Sequence, residues 1–234
     1  MGGGKHGSWR DVHLYSPALQ IDSGVGEQLR MSSSAFVHVV DDDEAVRESI
    51  GDLLRSMGYQ ILLHGSASEF LDADLPDAPS CLVLDVRLPG TGGLELQEYL
   101  TRINIRMPVI LMTGFGDIAM SVKAMKAGAV DFLTKPIREQ DLIDAVATAV
   151  RMDRDRRHDL VQIVRLRERH ALLTPRERQV MVLVASGLMN KQVASELSIS
   201  EATVKMHRGS VMRKMGAGSV ATLARIAETL DIRK

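Results

Sequence analysis

From Phe36 onward, short apolar runs alternate with amphipathic stretches. The runs Phe36–Val40, Gln60–His64, Cys81–Leu84, Val109–Met112 and Asp131–Leu133 read as strands, with helices near 44–57, 66–74, 92–102, 117–127 and 139–152 between and after them. This β-α rhythm predicts a parallel sheet with helices on both faces. Five units within residues 36–150 predict a flavodoxin-like, doubly wound α/β domain, whose ligands gather at the carboxyl ends of the strands.

The pattern then becomes wholly helical. No Gly or Pro occurs from Ile137 to Thr174, and the Arg-rich residues 151–170 predict a continuous linker helix. Its apolar residues Leu160, Ile163, Val164 and Leu166 supply too few heptads for a coiled coil, so a solvated helix is expected. Thr174-Pro175-Arg176-Glu177 is a capping box with Pro at the first helical position, opening a helix Pro175–Ser186 that stops at Gly187. Asn190 is suited to cap a short helix, Lys191–Leu197, and Ser200 a longer one, Glu201–Met215, ended by Gly216. The tight turn Ser198-Ile199-Ser200 between them makes a helix-turn-helix, whose second helix enters the DNA major groove. Thr203, Lys205, Met206, Arg208, Arg213 and Lys214 fall on its exposed face, and Val204, Val211 and Met215 on its core side. A last helix spans Ser219–Leu230, completing a four-helix, all-α domain.

Four segments result: a disordered tail at 1–35, an α/β domain at 36–150, a linker at 151–170 and a helix-turn-helix domain at 171–234. The segment Met31–Ala35 immediately precedes the first strand, so translation is expected to start at Met31. Charge separates the two domains. Residues 36–150 hold 18 Asp/Glu against 9 Lys/Arg, a net of -9, whereas residues 171–234 hold 10 Lys/Arg against 5 Asp/Glu, a net of +5. A polyanion partner therefore suits the second domain alone. The single cysteine, Cys81, lies in an apolar run and reads as a buried thiol in a reducing compartment. No apolar stretch approaches the roughly 20 residues of a membrane helix, and residues 1–30 lack a secretory signal's apolar block, so a cytoplasmic protein without membrane contact is expected.

The strand ends carry the chemistry. Asp41, Asp42 and Asp43 follow the first strand, Asp85 the third, Thr113 the fourth, and Lys135-Pro136 the fifth, positions that converge in this fold. Carboxylates so close repel one another unless a cation sits among them, and hard oxygen ligands suit Mg²⁺. Phosphoryl transfer to a carboxylate needs charge neutralisation and in-line approach, with little further covalent work by the protein. In that scheme Asp85 attacks, and Asp42 and Asp85 bind Mg²⁺ with the backbone carbonyl of Arg87. Asp41 acts on the metal through water, while Lys135 and Thr113 hold phosphoryl oxygens.

The stretches Val39–Asp43, Leu82–Gly90, Met112–Gly114 and Lys126–Pro136 resemble the receiver domain of two-component response regulators, and the resemblance covers residues 36–150. Leu173–Glu177, Asn190–Ala194 and Thr203–His207 are similar to the LuxR/NarL-type DNA-binding domain, over residues 172–230. Together they point to the FixJ/NarL subgroup. The resemblance implies an acyl-phosphate formed on Asp85 from a histidine kinase's phosphohistidine, and a switch in which Thr113 moves toward the phosphoryl group while Phe132 turns inward. It further implies homodimerisation on phosphorylation through Ser121–Lys126 and Asp131 onward, promoter DNA as target and RNA polymerase as a further partner. By position, Lys205, Met206 and Gly209 match base-reading sites, and Lys191, Thr203 and Arg213 match phosphate contacts. Gly209 departs from the longer residue many members carry there.

Other readings compete with this transcription-regulator assignment. An aspartyl phosphatase would need a second acid two residues beyond Asp85, where Arg87 stands, so no turnover enzyme is expected. A phosphorylation-independent DNA-binding protein would use the first domain only to dimerise.

Overall fold

The computed structural model describes residues 35–114 and 118–232; the expected tail through Ser34 and the start at Met31 lie outside them. Strands and helices alternate as β1 (Phe36–Val40), α1 (Glu44–Ser56), β2 (Gln60–His64), α2 (Ala67–Asp72), β3 (Ser80–Asp85), α3 (Gly93–Arg102), β4 (Val109–Thr113), α4 (Ile118–Lys126) and β5 (Asp131–Thr134). All pairings are parallel, in the order β2-β1-β3-β4-β5. The chain leaves β1 toward β2 on one side and returns to β3 on the other, so the connections diverge and open a crevice above the carboxyl ends of β1 and β3.

Alternation along the strands divides the core into two layers. Val37, Val39, Cys81, Val83, Ile110 and Met112 pack on one face with Ile50 and Leu54 of α1 and with Leu142 and Val146. Val40, Leu82, Leu84 and Leu111 pack on the other with Phe70, Leu96, Leu100 and Ala124. Every residue of β3 is buried. Burial also raises the Cys81 thiol far above its ordinary range, which suppresses the reactive thiolate.

Helix α5 (Glu139–Ala171) runs without a break through the expected helix 139–152 and the linker. At 1.5 Å per residue it is about 50 Å long. The expectation of a solvated linker needs correction at Asp153, which is 1% exposed. Its carboxylate accepts the Ser80 backbone N–H at 3.0 Å and Arg157 Nε at 2.8 Å, and Arg157 also pairs with Asp77 at 2.6 Å. The linker is thereby fastened to the start of β3; further along, Leu160 and Val161 are exposed. Asp153→Ala strands a buried N–H, which costs about 1–3 kcal/mol. The freed arginines are about one-third exposed and regain water, so the loss should not exceed that range. Urea denaturation checks this, and an unchanged midpoint would count against the anchor.

The second core joins Leu173, Val180, Met181, Val204, Val211, Met215 and Leu223, with Leu166 of α5 packed against it. Helices α6 (Pro175–Ala185), α7 (Asn190–Leu197), α8 (Glu201–Met215) and α9 (Val220–Thr229) enclose it. Among the described residues no helix is long and apolar enough to cross a membrane.

Candidate metal centre and nucleic-acid interface

Asp41 and Asp42 follow β1 directly, and Asp85 ends β3, the neighbouring strand. One carboxylate oxygen from each lies within 4.8 Å of the others. Asp41 is fully buried, Asp85 is 6% exposed and Asp42 stands exposed at the mouth. Asp43 turns away to cap α1, accepting the Ala45 and Val46 N–H groups.

Lys135 bridges the two buried acids, with Nζ 2.6 Å from Asp41 Oδ2 and 2.5 Å from Asp85 Oδ2. The remaining oxygens accept backbone N–H groups: Asp41 Oδ1 from Asp43 at 3.0 Å, and Asp85 Oδ1 from Arg87 at 2.9 Å. Burial raises the Asp41 carboxyl above the usual carboxylate range, against the opposing pull of Lys135. Burial also works against the charge on Lys135, but its hydrogen bonds to the two carboxylates outweigh this and hold its pKa above the ordinary value. Three ionised carboxylates and one ammonium leave two negative charges uncompensated. That balance and an all-oxygen donor set fit a hard divalent cation such as Mg²⁺.

Thr113 is fully buried at the end of β4, which pairs with β3, and its carbonyl accepts the Lys135 N–H at 2.7 Å, which holds the Lys135 backbone one strand further on at the end of β5. Phe132 lies half-buried on β5 opposite Leu111. Two site residues were not singled out from the sequence. Arg47 Nη1 donates to the Asp41 carbonyl at 2.6 Å. Gly93 packs so closely that a Cβ there would sit 2.2 Å from the Asp85 carbonyl oxygen. The adjacent Gly92-Gly93 pair was the available signal for the second; nothing in the sequence marked the first.

In the C-terminal domain Ser198 takes the left-handed conformation, φ 53°, ψ 47°, between α7 and α8, and Ser200 caps α8 through the Thr203 N–H. Arg176 of α6 donates to the Leu197 carbonyl at 2.6 Å, closing the end of α7. Lys191, Lys205, Met206, Gly209 and Arg213 are exposed, and Thr203 is half-buried, sharing a hydrogen bond with Ser200. Three local expectations need correction. Asn190 is the first helical residue and not the cap, because its side-chain oxygen accepts Arg208 Nη1 at 2.8 Å. Arg208 is therefore turned toward α7. Lys214 likewise leaves the exposed face and pairs with Glu177 at 2.7 Å.

Glu177 also accepts the Thr174 N–H and the Ser210 hydroxyl. Lys214, then Ser210 and the Thr174 N–H, hold its pKa down at about 2, against an ordinary 4.5. As pH falls the unfolded chain takes up its proton first. The stabilisation is thus complete above 4.5 and is lost as pH falls to about 2. Glu177→Gln should cost about 1–3 kcal/mol at neutral pH. Parallel urea titrations should show the gap from the parent closing across that acid window, and a gap constant with pH would contradict the assignment.

Residues 37–147 match the response regulator receiver domain, and residues 171–227 match the luxR family of bacterial regulatory proteins. Over 209 residues the chain is 53% identical to nodulation protein W of Bradyrhizobium diazoefficiens, covering 89% of this chain and 92% of that one. The chain belongs to the response regulators of the FixJ/NarL type. This response regulator is also 44% identical to the transcriptional regulatory protein FixJ of Azorhizobium caulinodans, over 84% of this chain and 93% of that one. Among solved structures it is similar to the response regulator StyR, with a TM-score of 0.73 and 45% identity over 84% of this chain and 99% of that one. A receiver joined to a LuxR-type DNA-binding domain makes it a two-component transcription regulator.

Proposed function

We propose that this response regulator accepts a phosphoryl group on Asp85 from a partner histidine kinase and binds promoter DNA through α8 as a homodimer, in the bacterial cytoplasm. The observation that carries this reading is Lys135 held between Asp41 and Asp85 beside the exposed Asp42.

Arg87 N–H and Lys135 each hold one Asp85 oxygen, which fixes the carboxylate before a donor arrives. An Asp85 oxygen attacks phosphorus; the new P–O bond replaces the donor's P–N bond, whose electron pair leaves with the imidazole. Lys135 then moves its hydrogen bond from Asp85 to a phosphoryl oxygen, and the Thr113 hydroxyl takes another. Asp42, Asp85 and the Arg87 carbonyl would hold Mg²⁺, with Asp41 acting through water. When bound, the ion neutralises charge on the transferring group. Thr113 drawn toward the phosphoryl group leaves room for Phe132 to turn inward, which biases the α4 and β5 face toward pairing with a second copy. RNA polymerase would be a further partner of the DNA-bound dimer.

The domain boundaries proposed are 36–150, 151–170 and 171–234, with α5 shared by the first two. On α8, Lys205, Met206 and Gly209 face bases, while Lys191 of α7 joins Thr203 and Arg213 of α8 in meeting phosphates.

Incubation of the full chain with acetyl phosphate and Mg²⁺, followed by mass-spectrometric mapping, tests the reading. A single phosphoryl group on Asp85 and tighter DNA binding are expected. Equal DNA affinity with and without the modification would favour a receiver that serves only to dimerise, and labelling elsewhere would end the assignment.

A further inference from the structure

We infer that Arg47 is the positioning residue of the metal centre: by gripping the Asp41 carbonyl it fixes the peptide that aims Asp42 at the ion. The inference rests on the Mg²⁺-assisted phosphoryl transfer proposed above.

Asp41 is fully buried just past the end of β1, where its N–H donates to the His64 carbonyl at 3.2 Å. In extended backbone the N–H and C=O of one residue point to the same side, so the Asp41 carbonyl also faces β2. That strand ends at His64, and Ser66, where the next ladder donor would stand, has left the sheet to cap α2. A buried carbonyl needs a partner from elsewhere. Arg47, half-buried in the first turn of α1, supplies it: Nη1 donates at 2.6 Å, a short charge-assisted bond. The guanidinium thus extends the ladder by one bond beyond the end of β2.

The bond bears on the metal through covalent geometry. The Asp41 carbonyl belongs to the peptide that joins residues 41 and 42, and a peptide is planar, so holding its oxygen also fixes the N and Cα of Asp42. Asp42 has little else to hold it. Asp41 and Asp85 each engage Lys135 and a backbone N–H, whereas the Asp42 carboxylate has no hydrogen bond or ion pair among the described residues. It is nevertheless one of the three acids whose oxygens gather within 4.8 Å. The carboxylate that depends on its backbone for placement is the one whose backbone Arg47 secures.

A pure charge effect would have the opposite sign. A guanidinium near a cation site repels the cation, so its deletion would on that ground tighten Mg²⁺. Positioning predicts weakening, because groups that orient metal ligands are worth about 10–100-fold in affinity. The lower end applies here, since Arg47 acts through the backbone and not on the carboxylate.

Isothermal titration of the full chain with Mg²⁺ reads the effect without phosphoryl transfer. Arg47→Met keeps the stem and loses donors and charge, and Arg47→Lys keeps one donor and the charge on a shorter reach. Affinity should fall about tenfold in Arg47→Met and by less in Arg47→Lys. Acetyl phosphate labelling should then need about ten times more Mg²⁺ for its half-maximal rate, while the rate at saturating Mg²⁺ stays that of the parent. Parent-like or tighter Mg²⁺ binding by a folded Arg47→Met protein overturns the inference and leaves the phosphorylation site intact. So does a reduced saturating rate at unchanged affinity. If Arg47→Met no longer unfolds cooperatively in urea, Arg47→Lys decides, and parent-like affinity there overturns the inference. A parent protein that neither binds Mg²⁺ nor becomes labelled removes the metal-assisted reading itself, and this inference with it.

Discussion

In a Lys135→Ala variant, phosphoryl transfer from acetyl phosphate to Asp85 is expected to slow by about 10²–10³-fold, the usual cost of deleting one preorganised group from a charge-stabilising site. Lys135 Nζ already touches Asp85 at 2.5 Å, so it needs little reorganisation to reach an oxygen added there. The same change should alter stability in a way that identifies its cause. Without the ammonium, Asp41 keeps its charge only at the expense of burial, and its pKa rises further above the usual carboxylate range. A carboxyl whose folded pKa is raised loses stability as pH climbs through that range, because the unfolded chain gives up its proton first. The variant should therefore match the parent most closely at acid pH and fall behind toward neutrality. Removing one partner of a buried pair costs at most about 3–5 kcal/mol, and protonation of Asp41 limits the loss here. Wild-type labelling kinetics in Lys135→Ala would refute the role assigned to this residue.

Gly93→Ala is expected to be among the most damaging single-methyl changes in the receiver. The added Cβ would lie 2.2 Å from the Asp85 carbonyl oxygen and 3.0 Å from Val86 Cα. Both neighbours are backbone, held by the Val86 N–H to Met112 bond at 2.8 Å and the Gly93 N–H to Val86 bond at 3.0 Å, so neither can swing aside as a side-chain tip would. Overpacking costs about 1–3 kcal/mol, and a backbone clash belongs at or beyond the upper end. Where the fold survives, Asp85 is displaced, and labelling should fall although no reacting atom is lost. Gly92→Ala is the control: its Cβ would meet only the Val86 carbonyl, at 3.6 Å, and φ is -65°, open to any residue. Denaturant melts and acetyl phosphate labelling of the two variants should diverge sharply. Two equally mild variants would show that α3 can shift away from β3 at little cost.

Much of this was legible in the order of residues. All five strands lie within one residue of the runs read from hydropathy; the central strands β1, β3 and β4 are almost continuously apolar because they are buried on both faces. The caps at Thr174 and Ser200 mark helix starts for an equally local reason: a short polar side chain satisfies N–H groups only two or three residues away. The acids, threonine and lysine could be drawn into one site because the doubly wound topology gathers strand ends, and the order of the runs specifies that topology.

Tertiary structure decided the remainder. Lys135 reaches Asp41 across 94 positions and Asp85 across 50, and no local pattern says that one ammonium serves both. Asp153 looked like one more solvated acid in an Arg-rich helix until β3 presented its Ser80 N–H to it. Arg208 and Lys214 were placed on the DNA-facing surface because helical periodicity counts turns but does not see that Asn190 and Glu177 lie within reach. By itself, then, the sequence determined the strands, most of the caps, the fold class and the residue types at the strand ends, all of which depend on periodicity and short-range hydrogen bonding. Which charges are buried and with whom each one pairs was settled only in three dimensions, since desolvation and ion pairing depend on neighbours far away in the chain.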